Sequence, residues 1–151
     1  MSNVTSMNPY MHDHAFFLPI RVYYEDTDAG GIVYHSNYLN FCERARTEWL
    51  RHLGNGRDWL REEFGLIFVV RRATIDWRKP ARLDDLLLVE TRMTKLGRVR
   101  MHMEQTVTRD GVVLATVQIE LVCIDHAKFA PVELPESLLK HLPPLPRDLT
   151  R

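Results

Sequence analysis

Hydrophobic and polar residues recur along this chain with two different spacings, and each spacing predicts its own kind of element. Alternation with a period of two predicts strands at residues 16–25, 67–78, 85–96, 98–108 and 112–125. A helical spacing predicts one long helix at Asn37–Leu53, whose apolar face carries Tyr38, Phe41, Cys42, Ala45 and Trp49. The chain is therefore rich in strands and has one amphipathic helix near its beginning.

Breaks in these patterns predict where the elements end. Ser36 or Asn37 is the predicted N-cap of the long helix, and Gly54 is its predicted stop. A short second helix is predicted at residues 57–64 and another at residues 136–141. Asp110-Gly111 is a strong signal for a hairpin turn between the last two long strands.

The order of elements predicts an α+β fold. One strand and the long helix are followed by four strands, and short connections make those four antiparallel. The helix has an apolar face that must be covered, and the sheet is the only large surface available to cover it. We expect one domain at residues 15–130, a flexible N-terminal arm at 1–14 and a C-terminal surface extension at 131–151.

Composition excludes several classes of function. The 151 residues include 20 basic and 20 acidic side chains, a balance that argues against a nucleic-acid-binding protein. No apolar run approaches the roughly 20 residues that a membrane span needs, and the N-terminus lacks the pattern of a secretory signal. The only two cysteines, Cys42 and Cys123, lie in apolar patterns and are interpreted as reduced core thiols. We therefore expect a cytoplasmic protein.

Candidate chemistry is concentrated in EDTDAGGIVYHSNYLNF, residues 25–41. Asp28 and His35 lie here between the first strand and the long helix, where unpaired backbone amides are expected. An acid facing such amides could act on a carbonyl group that the amides hold. The competing interpretation makes Asp28 a turn or cap residue and His35 a polar group at a helix start. Asp26, two residues earlier, is interpreted as structural.

Two stretches of the chain resemble a known family. RVYYEDTDAGGIVYHSNYLNFCERARTEWLR (residues 21–51) and IDWRKPARLDDLLLVET (residues 75–91) resemble hotdog-fold acyl-CoA thioesterases of the 4-hydroxybenzoyl-CoA thioesterase family. Within that family the chain most resembles the Tol–Pal-associated acyl-CoA thioesterase group of Gram-negative bacteria. The resemblance implies a hotdog fold, in which an antiparallel five-stranded sheet wraps around one long central helix.

The resemblance also implies an activity and its residues. It implies hydrolysis of acyl-CoA to free acid and CoA without a metal or organic cofactor, with Asp28 and His35 as the catalytic residues. It implies a homodimer or tetramer with active sites at the subunit interface. It further implies that acyl carrier protein is an alternative donor of the acyl group and that the protein associates peripherally with the inner membrane. A non-catalytic acyl-carrier or Tol–Pal-associated scaffold protein is the alternative from another class.

Several roles remain open at the level of residues. Asp28 can attack the thioester directly or activate water, and backbone amides near His35 are the candidate oxyanion donors. The acyl pocket is expected between the long helix and residues 67–70. Cations for the CoA phosphates are to be sought among Arg71, Arg72, Arg78, Lys79, Arg82, Arg98 and Arg100.

Overall fold

The computed structural model describes residues 6–54, 56 and 58–145. Strands β1 (Tyr10–His12) and β2 (Ala15–Arg21) precede helices α1 (Asn37–Leu53) and α2 (Trp59–Phe64). Strands β3 (Leu66–Trp77), β4 (Leu86–Leu96), β5 (Arg100–Arg109), β6 (Val112–Asp125) and β7 (Ala130–Pro131) follow, and helix α3 (Glu136–Leu139) comes last. The predicted bounds of α1 and β6 are confirmed, and the other long strands begin or end within a few residues of the prediction.

All strands belong to one antiparallel sheet. Its order is β1-β2-β4-β5-β6-β3, and β7 pairs with the far end of β6. The five long strands were predicted, and among the described residues the short strands β1 and β7 extend the sheet to seven strands. Register shifts occur between Val70 and Arg72, between Met93 and Lys95, and between Val107 and Thr108. Such bulges bend and twist a strand, which helps a sheet to curve around a helix.

Helix α1 packs its apolar face into the main core. Phe41, Cys42 and Ala45 are fully buried there against strands β2, β4 and β6. Gln105 of β5 is also fully buried, and its amide group donates to the carbonyl oxygen of Cys42 and to Thr91 Oγ1, each at 2.9 Å. Its amide oxygen accepts from Arg46 at 2.9 Å. A satisfied buried amide therefore fixes the helix to the middle of the sheet.

Part of the predicted N-terminal arm forms a strand. Residues 10–12 form β1, which pairs with β2 through a tight turn at Asp13 and His14. Both turn residues have positive φ, 53° and 66°, a conformation that Asp and His adopt more readily than most residues. This hairpin was not predicted from the sequence, because a three-residue strand has too few positions to show a period. Residues 1–5 of the predicted arm lie outside the described residues.

The C-terminal segment also differs from the predicted surface extension. Leu134 and Leu138 are buried with Trp59, Leu60 and Leu66 in a second, smaller core. Further along, Leu142 and Leu145 pack against the main core. The described part of this segment therefore covers one end of the sheet, while residues 146–151 lie outside the described residues. Among the helices of the described chain, none combines the length and the apolarity needed to cross a membrane.

The end of α1 generates a testable prediction about stability. A Cβ atom at Gly54 would overlap the buried indole ring of Trp59. Gly54→Ala should therefore lower the free energy of unfolding by about 1–3 kcal/mol, the usual cost of overpacking. Chemical denaturation at fixed protein concentration measures this change.

Gly97→Ala is the matched control, because its Cβ would have its nearest neighbour, the carbonyl oxygen of Arg100, at 3.7 Å. Equal stability of the two variants would contradict the predicted steric conflict at Trp59.

Candidate active site

A buried carboxylate connects the two ends of the loop that precedes α1 by hydrogen bonds. Asp26 is 3% exposed, and its two oxygens accept from the Tyr23 N–H and the Asn37 side-chain amide, each at 2.8 Å. Its own carbonyl oxygen accepts from the Tyr34 N–H at 2.9 Å. These contacts confirm the structural interpretation of Asp26. They also explain why β2 stops at Arg21 rather than at residue 25, because a short 3₁₀ turn at Tyr24–Asp26 replaces the strand.

The loop between Asp26 and α1 folds back on itself. Thr27 and Val33 form an isolated antiparallel bridge, and the Asp28 N–H donates to the carbonyl oxygen of Ile32 at 2.8 Å. The Val33 N–H then donates to the carbonyl oxygen of Ala81 at 2.9 Å. Asp28 is thus held on a small hairpin that lies against the segment between β3 and β4.

The carboxylate of Asp28 has one oxygen engaged in its own turn. Oδ1 accepts from the backbone N–H groups of Gly30 at 2.8 Å and Ile32 at 3.4 Å. Within the described residues, Oδ2 has no hydrogen-bond partner. The competing turn interpretation is therefore correct for one oxygen, and the other remains available for a ligand.

The backbone of this turn requires glycine or another small residue at positions 30 and 31. Gly31 has a φ of 83°, which L side chains rarely adopt. A Cβ atom at Gly30 would lie 3.2 Å from Asp28 Oδ1, closer than an ordinary contact. Small residues at both positions therefore allow the backbone to wrap around the carboxylate.

His35 is exposed and lies beside Trp77, the last residue of β3. The Trp77 indole N–H donates to the His35 carbonyl oxygen at 2.9 Å, and the two rings meet edge to face at a centroid distance of 5.8 Å. The Tyr34 ring lies 4.4 Å from the imidazole on a tilted plane. Sequence reasoning missed Trp77, and its one signal was an aromatic residue directly before the Arg78-Lys79-Pro80 break.

Asp28 and His35 line the same pocket. Its volume is about 330 Å³, and it is bordered by the loop, the start of α1 and the end of β3: Asp28, Ile32, Val33, His35, Tyr38, Trp77, Arg78, Lys79 and Pro80. Tyr38 is buried, and its hydroxyl oxygen accepts from the Ala81 N–H at 3.0 Å, which fixes the helix to the pocket wall. A larger open cleft of about 800 Å³ beside β2 contains neither Asp28 nor His35.

Backbone amides at the start of α1 are available near this pocket. Ser36 occupies the N-cap position, as predicted, but its side chain makes no capping hydrogen bond. Among the described residues, neither the His35 N–H nor the Ser36 N–H has an acceptor. Free amides at a helix N-terminus carry partial positive charge and favour an anionic ligand. The arrangement can thus combine a carboxylate with donors for a developing negative charge.

A second cavity lies away from the pocket that holds Asp28. A cavity of about 340 Å³ between α1 and β3 is lined by Trp49, Leu50, Phe68, Val69, Val70 and Met103, with Glu43, Arg46, Thr47 and Leu121. Its location agrees with the predicted one, between the helix and residues 67–70. It shares no lining residue with the pocket of Asp28.

An antiparallel sheet packed around one long helix is the hotdog fold of thioesterase-like proteins. The chain belongs to the thioesterase-like superfamily, whose family model matches residues 22–142.

Individual relatives agree with this assignment. The chain is 45% identical to an acyl-CoA thioesterase, YbgC, of Haemophilus influenzae over 128 residues, which cover 85% of this chain and 94% of that protein. It is 42% identical to an acyl-CoA thioester hydrolase, YbgC, of Escherichia coli over 130 residues, or 85% and 96% of the two chains. The crystal structure of a probable thioesterase from Bartonella henselae superposes with a TM-score of 0.74 at 38% identity, covering 79% of this chain and 98% of that one.

The two cysteines are excluded from the chemistry of the pocket by burial. Both side chains are fully buried, and desolvation raises the pKa of Cys42 to about 12 and that of Cys123 to about 11. Both thiols are therefore protonated at pH 8, and the thiolate is the reactive form. We expect neither thiol of the native protein to react with a thiol reagent at pH 8, and two thiols per chain to react after denaturation.

Absorbance of the released reagent measures this reaction before and after adding denaturant. Rapid labelling of either cysteine in the native protein would contradict the prediction.

Proposed function

We propose that this chain is an acyl-CoA thioesterase in which Asp28 is the essential carboxylate. The observation that carries the proposal is the pocket that holds Asp28 and His35 together at the N-terminus of α1. The names of the relatives supply the substrate class, since those proteins are called acyl-CoA thioesterase and acyl-CoA thioester hydrolase. The products are the free carboxylic acid and CoA. The two free, buried cysteines support a cytoplasmic location as part of the proposal.

The available oxygen of Asp28 can perform the reaction by two routes. In the first, it attacks the thioester carbonyl carbon, forms a mixed anhydride and expels the CoA thiolate, and water then hydrolyses the anhydride. In the second, it takes a proton from water as the hydroxide adds to the carbonyl carbon, and the collapsing intermediate expels the thiolate. The hydrogen bonds to Oδ1 hold the carboxylate in place for either route.

The second requirement is stabilisation of the oxyanion that develops on the carbonyl oxygen. The proposed donors are the N–H groups of His35 and Ser36, at the positive end of the dipole of α1. One well-placed donor of this kind contributes about 3–4 kcal/mol in the transition state. The His35 imidazole, held beside Trp77, is proposed to orient a water molecule or the thioester.

The proposal includes a homodimer formed through strand β3. This strand runs for 12 residues, pairs with β6 on one side and has no partner strand on its other side within the described residues. Val69, Val70 and Trp77 on it are 37–50% exposed. Long exposed edge strands favour pairing with another chain. A second copy there would border the pocket through Trp77 and cover the apolar cavity beside Val70.

Replacement of the catalytic carboxylate is the direct test. Asp28→Asn should lower turnover of acyl-CoA by about two to four orders of magnitude, because an amide neither attacks the thioester nor accepts a proton from water. Thiol release from a panel of short, long and aromatic CoA thioesters measures the activity. Asp110→Asn is the matched control, because Asp110 lies in the hairpin turn between β5 and β6, with a φ of 52° that Asn tolerates.

Normal turnover of Asp28→Asn would exclude the proposed mechanism. Negligible turnover of the unmodified protein with every thioester, together with tight binding of acyl carrier protein, would instead favour the scaffold alternative.

The dimer has its own test. Val70→Lys should raise the dissociation constant of the dimer at least about tenfold, because it introduces a like charge on both copies of the paired strand. Analytical ultracentrifugation over a range of concentrations measures this constant. Val112→Lys is the control, since Val112 is equally exposed, 43% against 44%, but lies on β6. A monomeric unmodified protein, or equal dissociation constants for the two variants, would contradict assembly through β3.

A further inference from the structure

The seven cations that sequence analysis named for the CoA phosphates differ in whether they are ion-paired and in which pocket they line. Arg71 and Arg100 contact Glu120, at 2.8 and 3.4 Å, and Arg98 is paired with Glu133. Arg72 lines a different pocket, on the face of the sheet that carries His102. Arg78 and Lys79 alone of the seven line the pocket that holds Asp28 and His35.

Arg78 and Lys79 have exposed, charged side chains on a backbone that is held by hydrogen bonds. Their side chains are exposed, and within the described residues neither has a carboxylate within 4.0 Å. Their backbone N–H groups both donate to the carbonyl oxygen of Leu114, at 2.8 and 3.1 Å. The Pro80 carbonyl oxygen next to them accepts from Arg109 at 3.3 Å. Two unpaired cations are therefore held at a defined place, with side chains free to meet a ligand.

The size of the pocket decides which part of a ligand these cations meet. A volume of about 330 Å³ is at the lower end of small-molecule sites and is too small to enclose a whole acyl-CoA molecule whose thioester reaches Asp28. The nucleotide end of an acyl-CoA, with its phosphates, must then lie outside the pocket, at its rim. Arginine and lysine bind phosphate oxygens by charge-assisted hydrogen bonds.

We propose that Arg78 and Lys79 form the phosphate-recognition site of this enzyme and select thioesters that carry the CoA nucleotide. The proposal rests on the function proposed above and adds the feature that distinguishes CoA thioesters from the same acyl group on a phosphate-free thiol. A pair of adjacent cations matches the several phosphate charges of CoA better than the single phosphodiester of a carrier protein.

The double variant Arg78→Gln/Lys79→Gln tests the proposal with one acyl group on three donors: CoA, pantetheine and acyl carrier protein. We expect kcat/KM for the CoA thioester to fall by about tenfold to a hundredfold through KM, the range expected for lost charge-assisted contacts. The kcat value should change less than about twofold, because the acyl group and Asp28 are untouched. The pantetheine thioester should be hydrolysed equally well by the variant and the unmodified protein.

Two further measurements narrow the interpretation. Raising the salt concentration from about 50 to 500 mM should increase KM for the CoA thioester with the unmodified protein, and much less with the double variant, because salt screens exposed charges. Lys95→Gln/Lys128→Gln removes the same net charge from exposed positions outside this pocket and should leave all three rates unchanged.

Binding of CoA alone, measured by calorimetry, separates failure of this proposal from failure of the proposed function. One result would support the phosphate site and contradict the thioesterase function: the unmodified protein binds CoA, the double variant does not, and neither protein hydrolyses any thioester. Equal losses on the CoA and pantetheine thioesters would overturn the phosphate site. So would no loss on the CoA thioester, a loss confined to acyl carrier protein, or an equal loss in the charge-matched control.

Discussion

The buried carboxylate of Asp26 is the contact on which the geometry of the pocket depends. Its two oxygens accept from Tyr23, just after strand β2, and from Asn37 at the start of α1. The backbone carbonyl oxygen of the same residue accepts from Tyr34, where the loop returns. A carboxylate is stable away from water only where hydrogen bonds replace its hydration. Removing any one of these segments would leave buried polar groups without partners, so the three segments are held together.

Two aspartates of one short loop are thereby given different tasks by their surroundings. Asp26 is buried and has a donor on each oxygen, whereas Asp28 is exposed and uses one oxygen in its own turn. The first carboxylate fixes the loop, and the second leaves one oxygen without a hydrogen-bond partner among the described residues. The polar network of Gln105, deeper in the core, similarly holds α1 against the sheet, so that the start of the helix stays at the pocket.

Local patterns in the sequence predicted the elements well and the pocket only in part. The apolar spacing of α1 and the alternation in β6 are local signals, and their bounds are confirmed. Strands β1 and β7 pair with residues nearby in the sequence but are too short to show a period. The burial of Leu138 depends on residues distant in the sequence, such as Trp59, which no local period reveals. Asp28 and His35 were named from the loop between the first strand and the helix, and the family resemblance implied their catalytic roles. Trp77 was missed because its contact with His35 spans 42 positions of the chain.

The three-residue strand β1 has a consequence for how copies of this chain can associate. It pairs with Ala15–Phe17 of β2, so that among the described residues β3 is the one long strand at a margin of the sheet without a partner on its outer side. A sheet that can be extended on both margins can add chains without limit, as in fibres. A sheet with one such margin forms a dimer by a single two-fold pairing, after which no free margin remains for a third chain. Under the proposed pairing through β3, the small N-terminal hairpin therefore favours a closed assembly over an open polymer.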